Sequence, residues 1–313
     1  MKIFVAGATG AIGKQLVPQL VQRGHQVVGM TRTPAKREEI RALGATPAVA
    51  DALVADEVAG AVAQAQPEAI VHELTALGDT LDVRHFDREF ELTNRLRTEG
   101  TDHLLSAGRA IGVRRFVAQS YAGWPTARTG PMVKSEEDPL DPHPVNGMQR
   151  SHEAIAYLER VVIGADWTEG IVLRYGGLYG PGTGLRKGGA MVEMVAQRKF
   201  PIVGGGAGVW SFVHVADAAE ATVAAVEQGR PGIYNVTDDR PAPVSEWLPE
   251  LAAAAGAKPP RKVPTWLGRL LAGDCGVAMM TEIRGASNAK AKRELSWLPR
   301  HPSWREGFAA ELA

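Results

Sequence analysis

The sequence predicts an α/β fold: a doubly wound parallel sheet with a smaller, mostly helical C-terminal lobe. Three observations predict it. Short β-branched runs alternate with helical patterns through the first half of the chain. A glycine-spaced loop joins the first run to the first helix, and in the last third prolines accumulate and the alternation stops.

Taken in order, a strand over Ile3 to Ala6 is followed by a helix over Ile12 to Gln22, where Ile12, Leu16 and Leu20 share one face as in a helix laid on a sheet. Pro18 inside it predicts a mild kink. A strand over Gln26 to Met30 and a helix over Ala35 to Leu43 come next. They are followed by a strand over Ala69 to His72, a helical stretch to Ala110 and a strand over Arg115 to Gln119. A further helix is placed to begin near Pro144 to His152, ahead of a strand over Ile171 to Arg174. Tyr175 to Gly184 and Gly204 to Gly208 are glycine-rich and read as loops. Pro241, Pro243, Pro249, Pro259, Pro260 and Pro264 interrupt the helical pieces of the second lobe.

The 313 residues suffice for a large core with a satellite. Lysine plus arginine (35) cancels aspartate plus glutamate (35), so no net field draws the chain to nucleic acid or an anionic membrane, and a small-molecule partner is expected. Cys275 stands alone, and Met1-Lys2-Ile3 runs straight into a strand without a secretory apolar segment, which predicts a cytoplasmic protein. No run reaches the roughly 18 apolar residues of a spanning helix. No metal site is expected.

The loop Gly7-Ala8-Thr9-Gly10-Ala11-Ile12-Gly13 follows a strand and opens a helix. Its first glycine suits a tight turn, its second a close approach to a pyrophosphate and its third helix-on-strand packing, while the helix N-terminus offers N–H donors. This is a Rossmann-type dinucleotide site. At the end of the second strand an acid would bind the ribose hydroxyls of NAD. Thr31 and Arg32 stand there instead, with Lys36 and Arg37 behind, so NADP(H) is preferred over NAD(H). Asp51 is placed to accept from the adenine amino group. Residues 1–175 with 210–236 are assigned to the dinucleotide-binding domain, and 176–209 with 237–313 to the substrate-binding lobe.

Beyond that loop the chain resembles the extended short-chain dehydrogenase/reductase family, which includes nucleotide-sugar epimerases and dehydratases. The resemblance is carried by Ile70-Val71-His72 with Leu74 and Thr75, by Thr93-Asn94, by Arg115-Phe116-Val117 leading to Ser120, and by Leu173-Arg174 with Tyr179-Gly180-Pro181-Gly182. It continues through Phe212-Val213-His214-Val215-Ala216-Asp217 and Tyr234-Asn235-Val236 to the helix around Ala289-Lys290. It implies an active site in the cleft between the lobes, Leu74, Thr75 and Asn94 against the cofactor, and a homodimer as the default assembly.

One departure stands out. The family's acid/base pair is a tyrosine followed four residues later by a lysine that lowers its pKa. Tyrosines occur here at 121, 157, 175, 179 and 234, and the residues four further on are Pro125, Val161, Tyr179, Thr183 and Asp238. Counting back from Arg174 puts Met148 and His152 at the two positions; aligning Glu153 with a family glutamate puts Val145 and Gln149 there. Either way the tyrosine is gone. Ser120 is the expected substrate-facing hydroxyl, Tyr121 the nearest phenol that could replace the acid, and His152 a titratable neighbour, with Arg150 beside it as a partner for a substrate anion. Where the family carries an arginine for a diphosphate, Trp210 stands. With Trp124 and Met148 it is assigned to an apolar substrate wall, and Trp266, Met279 and Met280 are placed near it.

The function expected is an NADP(H)-dependent oxidoreductase acting on a small, uncharged, partly apolar carbonyl or alcohol with an atypical proton donor. Two alternatives are a non-catalytic NADP(H)-binding redox sensor and a nucleotide-sugar epimerase or dehydratase.

Overall fold

A computed structural model describes residues 1–78 and 82–313. Its centre is a seven-stranded sheet. Five strands are β1 (Lys2–Ala6), β2 (Gln26–Thr31), β3 (Thr46–Val49), β4 (Ala69–His72) and β5 (Arg115–Tyr121); the others are Glu169–Tyr175 and Gly232–Val236. The order is Gly232–Val236, Glu169–Tyr175, β5, β4, β1, β2, β3, and every pairing is parallel.

Alternation along each strand builds two cores, one on each face of the sheet. Ile3, Val5, Val71 and Val117 meet Leu16 and Leu20 of the first helix (Ala11–Gln22) and Val223 of the Val215–Gln228 helix. Phe4, Ile70 and Phe116 face the other way, onto Val62, Leu104 and Leu158. The first helix runs on through Pro18 to Gln22. A third cluster gathers Trp247, Trp304, Phe212 and Phe308 with Phe86, Trp124 and Met148 from earlier in the chain.

Two sequence readings change. The helical stretch before Ala110 is broken into pieces: Phe86–Glu89, Glu91–Arg95, a π-helical turn over Leu96–Gly100, and Thr101–Ile111. The stretch from Tyr175 is not all loop, because Gly177–Tyr179 pairs in parallel with Phe212–His214. Glycine permits this approach: a Cβ on Gly176 would lie 2.7 Å from the Ser211 carbonyl oxygen.

The chain doubles back at β1, where β2 and β3 extend one way and β4 and β5 the other. The crevice over the strand ends at such a reversal is where a doubly wound sheet takes its ligand.

Candidate active site

The cradle at this crevice fits a dinucleotide pyrophosphate. Gly7 has φ of +102°, and a Cβ there would lie 2.7 Å from the Glu73 carbonyl oxygen. A Cβ on Gly13 would lie 2.2 Å from the Gly7 carbonyl, so both positions demand glycine. Gly10 begins the first helix with no side-chain cap, which leaves the N–H groups of Ala11, Ile12 and Gly13 at the open N-terminus for an anion. Thr9 is half-buried beside them.

At the end of β2, Thr31 is buried and accepts from the Thr33 amide at 3.2 Å. Arg32, Lys36 and Arg37 are exposed, and nearby acids are engaged elsewhere, Glu39 by Lys14 and Glu38 by Arg41. Asp51 accepts from the Leu53 amide at 2.9 Å, and its own amide donates to Glu57.

Past β4, Leu74 is half-buried and Thr75 exposed. The Leu74 amide donates to Nδ1 of His72, whose Nε2 lies 3.2 Å from the Leu96 carbonyl. That pattern assigns the proton to Nε2. Burial lowers the His72 pKa to about 4, so the ring is neutral.

The helix expected to begin near Pro144 to His152 begins at Gln149. The helix spans Gln149–Ile163; Val145 lies before it, and Glu153 is exposed. The buried glutamate is Glu159, gripped by Arg174 with Nε at 2.7 Å and Nη2 at 2.6 Å. Counted from Glu159 rather than from Glu153, the same spacing falls on Ser151 and Ile155, both on the buried face of the helix. Ser151 donates to Asp87 at 2.7 Å and accepts from Asn94 Nδ2 at 3.0 Å. Asn94 is thus tied to this helix, and its Oδ1 is buried without a partner. Ile155 is 1% exposed and has no proton to give.

Ser120 is buried and donates to Glu159 Oε1 at 2.7 Å. The hydroxyl of Tyr121, at the end of β5, makes no hydrogen bond among the described residues, and desolvation pushes its phenol up to about 12. His152 Nε2 lies 3.1 Å from the Pro125 carbonyl. Trp124 sits 6.2 Å from Tyr121 and edge-on to Phe86 at 5.2 Å, and Phe86 stacks on Phe90 at 4.3 Å. Met148 and Ile155 belong to the same apolar cluster. Trp210 is packed between Phe212 and Trp247, its N–H donated to the Met279 carbonyl at 2.9 Å. Met279 and Met280 are buried there as well, whereas Trp266 is 69% exposed.

Sequence reasoning missed Ser151, Ile155, Glu159, Phe86 and Phe90. The signal available was a glutamate eight residues after Ser151, on the face carrying Ile155 and Leu158.

A glycine cradle at the reversal of a doubly wound parallel sheet defines a dinucleotide-binding fold of the Rossmann type. The chain belongs to the NAD dependent epimerase/dehydratase family, whose model matches residues 3–237. A 3-diazoavenalumate denitrifying reductase of a Streptomyces species is 46% identical over 314 residues, covering 99% of this chain and 100% of that one. A 4-hydroxy-2-methyl-3-oxo-4-farnesyl-3,4-dihydroquinoline-1-oxide ketoreductase of Stigmatella aurantiaca is 27% identical, covering 82% of this chain and 74% of that one. The fold is similar to that of a UDP-glucose 4-epimerase of Thermotoga maritima solved with UDP-glucose, with TM-score 0.77 and 22% identity over 100% of this chain and 97% of that one. Among the described residues, no helix is long and apolar enough to cross a membrane, and no cluster of His, Cys, Asp or Glu could hold a metal ion.

Proposed function

We propose that the protein is an NADPH-dependent reductase that replaces an aromatic diazo group with hydrogen, using no acid of its own. The observation that carries this reading is the pair Ser151 and Ile155, which leaves both proton-handling positions without a phenol or an ammonium group. The 46% identical relative, named as a denitrifying reductase of a diazo compound, supports it.

The cofactor, when bound, supplies a hydride: with an aryl diazonium ion a C–N bond gives way to C–H, N2 leaves, the positive charge passes to the nicotinamide, and no proton is consumed. Reduction of a carbonyl takes up one proton per turnover, which the site would have to deliver. In this reading residues 1–175 with 210–236 hold the dinucleotide and 176–209 with 237–313 cover the substrate. The first-helix N-terminus takes the pyrophosphate, and Arg32 with Lys36 and Arg37 takes the 2′-phosphate that distinguishes NADP from NAD. Tyr121 and Trp124 receive the aromatic ring by stacking, with Met148 behind them. Their faces suit a cation, and Ile155 removes the ammonium that would repel one. Ser120 holds Glu159, and His152 steadies the turn at Pro125.

A ketone reduced with Tyr121 as donor is the second reading. The free hydroxyl of Tyr121 favours it, and a pKa pushed up to about 12 opposes it. The two are separated by offering the protein NADPH with either an aryl diazonium salt or the ketone of the same ring. NADPH oxidation above the protein-free rate and N2 release with the diazonium salt are expected. Turnover of the ketone alone would overturn the proposal.

A further inference from the structure

The helix Thr265–Thr281 is two pieces joined at Gly273, whose φ of +68° and ψ of −174° leave the helical path. The second piece is buried. Cys275, Met279 and Met280 pack in the cluster that holds Phe86 and Trp124, and Cys275 donates to the Asn146 carbonyl at 3.2 Å. The first piece lies open. Trp266, Leu270 and Leu271 are 69%, 64% and 53% exposed. Trp266 and Leu270 stand one turn apart on the same side of it. Gly268, two residues from each, points the other way, and a Cβ there would lie 2.4 Å from Val203 Cγ1. The glycine lets the helix lie flat on the body while its apolar side chains face out. Scattered apolar residues on a surface are ordinary, but a contiguous ridge of large ones marks a contact.

The charges around this ridge are of one sign. Between Glu250 and Asp274 the chain carries Lys258, Arg261, Lys262 and Arg269 and no acid, and all four side chains are exposed. The cancelling totals of the whole chain therefore conceal a basic end. Lys262 is fixed at the foot of the helix, because Lys262–Val263 pairs with Ile202–Val203, the strand on which Gly268 rests. Two acids border the region and both are engaged. Asp274 meets Arg269 at 2.7 Å, and Asp82, which caps the turn Val83–His85 beside Gly273, meets His85 at 2.8 Å.

This combination fits an anionic lipid surface. Leucine and an indole enter the boundary between headgroups and acyl chains, while lysine and arginine beside them meet the lipid phosphates. A nucleic acid would answer the charges and leave the leucines in water. A stable protein partner covers about 800 Å² on each side, which calls for a face broader than one short helix. We infer that residues 265–272 form an interfacial helix that docks the protein on an anionic bilayer, with Trp266, Leu270 and Leu271 inserted and Lys258, Arg261 and Lys262 on the headgroups. The buried half of the same helix lies against the apolar cluster, so docking sets that cluster one helix away from lipid.

The inference rests on neither the cofactor nor the diazo substrate, so its tests are independent of both. The full chain is sedimented with vesicles of phosphatidylcholine, with and without phosphatidylglycerol. Binding is expected when phosphatidylglycerol is present, weakening as salt rises, and little is expected with phosphatidylcholine alone. Each basic residue at such a surface is worth roughly fivefold in partition, so Arg261→Gln combined with Lys262→Gln should weaken binding by about 25-fold. Leu270→Ser combined with Leu271→Ser should abolish it without moving the thermal unfolding midpoint, since both side chains are exposed. Brominated acyl chains should quench tryptophan fluorescence in the wild type and not in Trp266→Phe. Three results would overturn the inference: no sedimentation of the wild type with anionic vesicles, equal binding to phosphatidylcholine alone, or a dimer in solution that the double leucine variant splits. The last would give the ridge to a second copy of the chain, and the first two are read on the wild type alone.

Discussion

Ser120 donates its hydroxyl proton to Glu159, one helical turn beyond Ile155, and Arg174 closes on both oxygens of the same carboxylate. The serine that the family resemblance places at the substrate is here joined to the helix behind the sheet. That contact ties β5 to the helix whose buried face carries Ser151 and Ile155.

Removing the carboxylate should be severe. Glu159→Ala leaves the Arg174 guanidinium buried and unpaired, for a loss of about 3 to 5 kcal/mol in unfolding free energy by urea titration. Ser120→Ala removes a single bond to a charged group and should lose about 1.5 to 3 kcal/mol. Equal, negligible losses would show that the triad does not hold the helix.

Tyr121→Phe separates stacking from proton donation. If the ring acts only as a surface, kcat/KM for a diazonium salt should stay within about threefold, whereas loss of a general acid removes about 100-fold or more. A loss of the second size would return Tyr121 to the role of acid.

Arg32→Ala should bring the NADPH and NADH dissociation constants together. A charge-assisted bond to a phosphate is worth about 1.5 to 3 kcal/mol, which is roughly ten- to hundredfold in the ratio, measured by cofactor fluorescence. A wild-type ratio near one would remove Arg32, Lys36 and Arg37 from cofactor choice.

His72 predicts an acid limb in stability. Its folded pKa of about 4 lies below the ordinary 6.5, so the unfolded chain binds the proton first and stability falls as pH drops through that window. The full effect is roughly 3 kcal/mol, and it is absent at neutral pH. Burial holds the ring neutral, and protonation of Nδ1 would also set it against the Leu74 amide. Urea unfolding at pH 7 and pH 5 should show the decline, and a His72→Gln variant should lose it.

The sheet and the glycine cradle were legible because each depends on residues close in sequence. The shared face of Ile12, Leu16 and Leu20 marked the side of the first helix that packs on the sheet, and the spacing of Gly7, Gly10 and Gly13 places the helix N-terminus. What was not legible depends on partners far apart. Ser151 and Ile155 could be placed only through Glu159, which is recognised by its pairing with Arg174 on a strand beyond the helix. Trp210 looked like a free substrate wall because its neighbours, Trp247 and the Met279 carbonyl, come from the C-terminal lobe.

The most direct test of the central claim is the proton balance of turnover with an aryl diazonium salt in weakly buffered solution, read with a pH indicator alongside NADPH oxidation and N2 release. One N2 per NADPH with no net proton uptake is the result predicted for hydride delivery without an enzyme acid. One proton taken up per NADPH, or NADPH oxidation without N2, would contradict it.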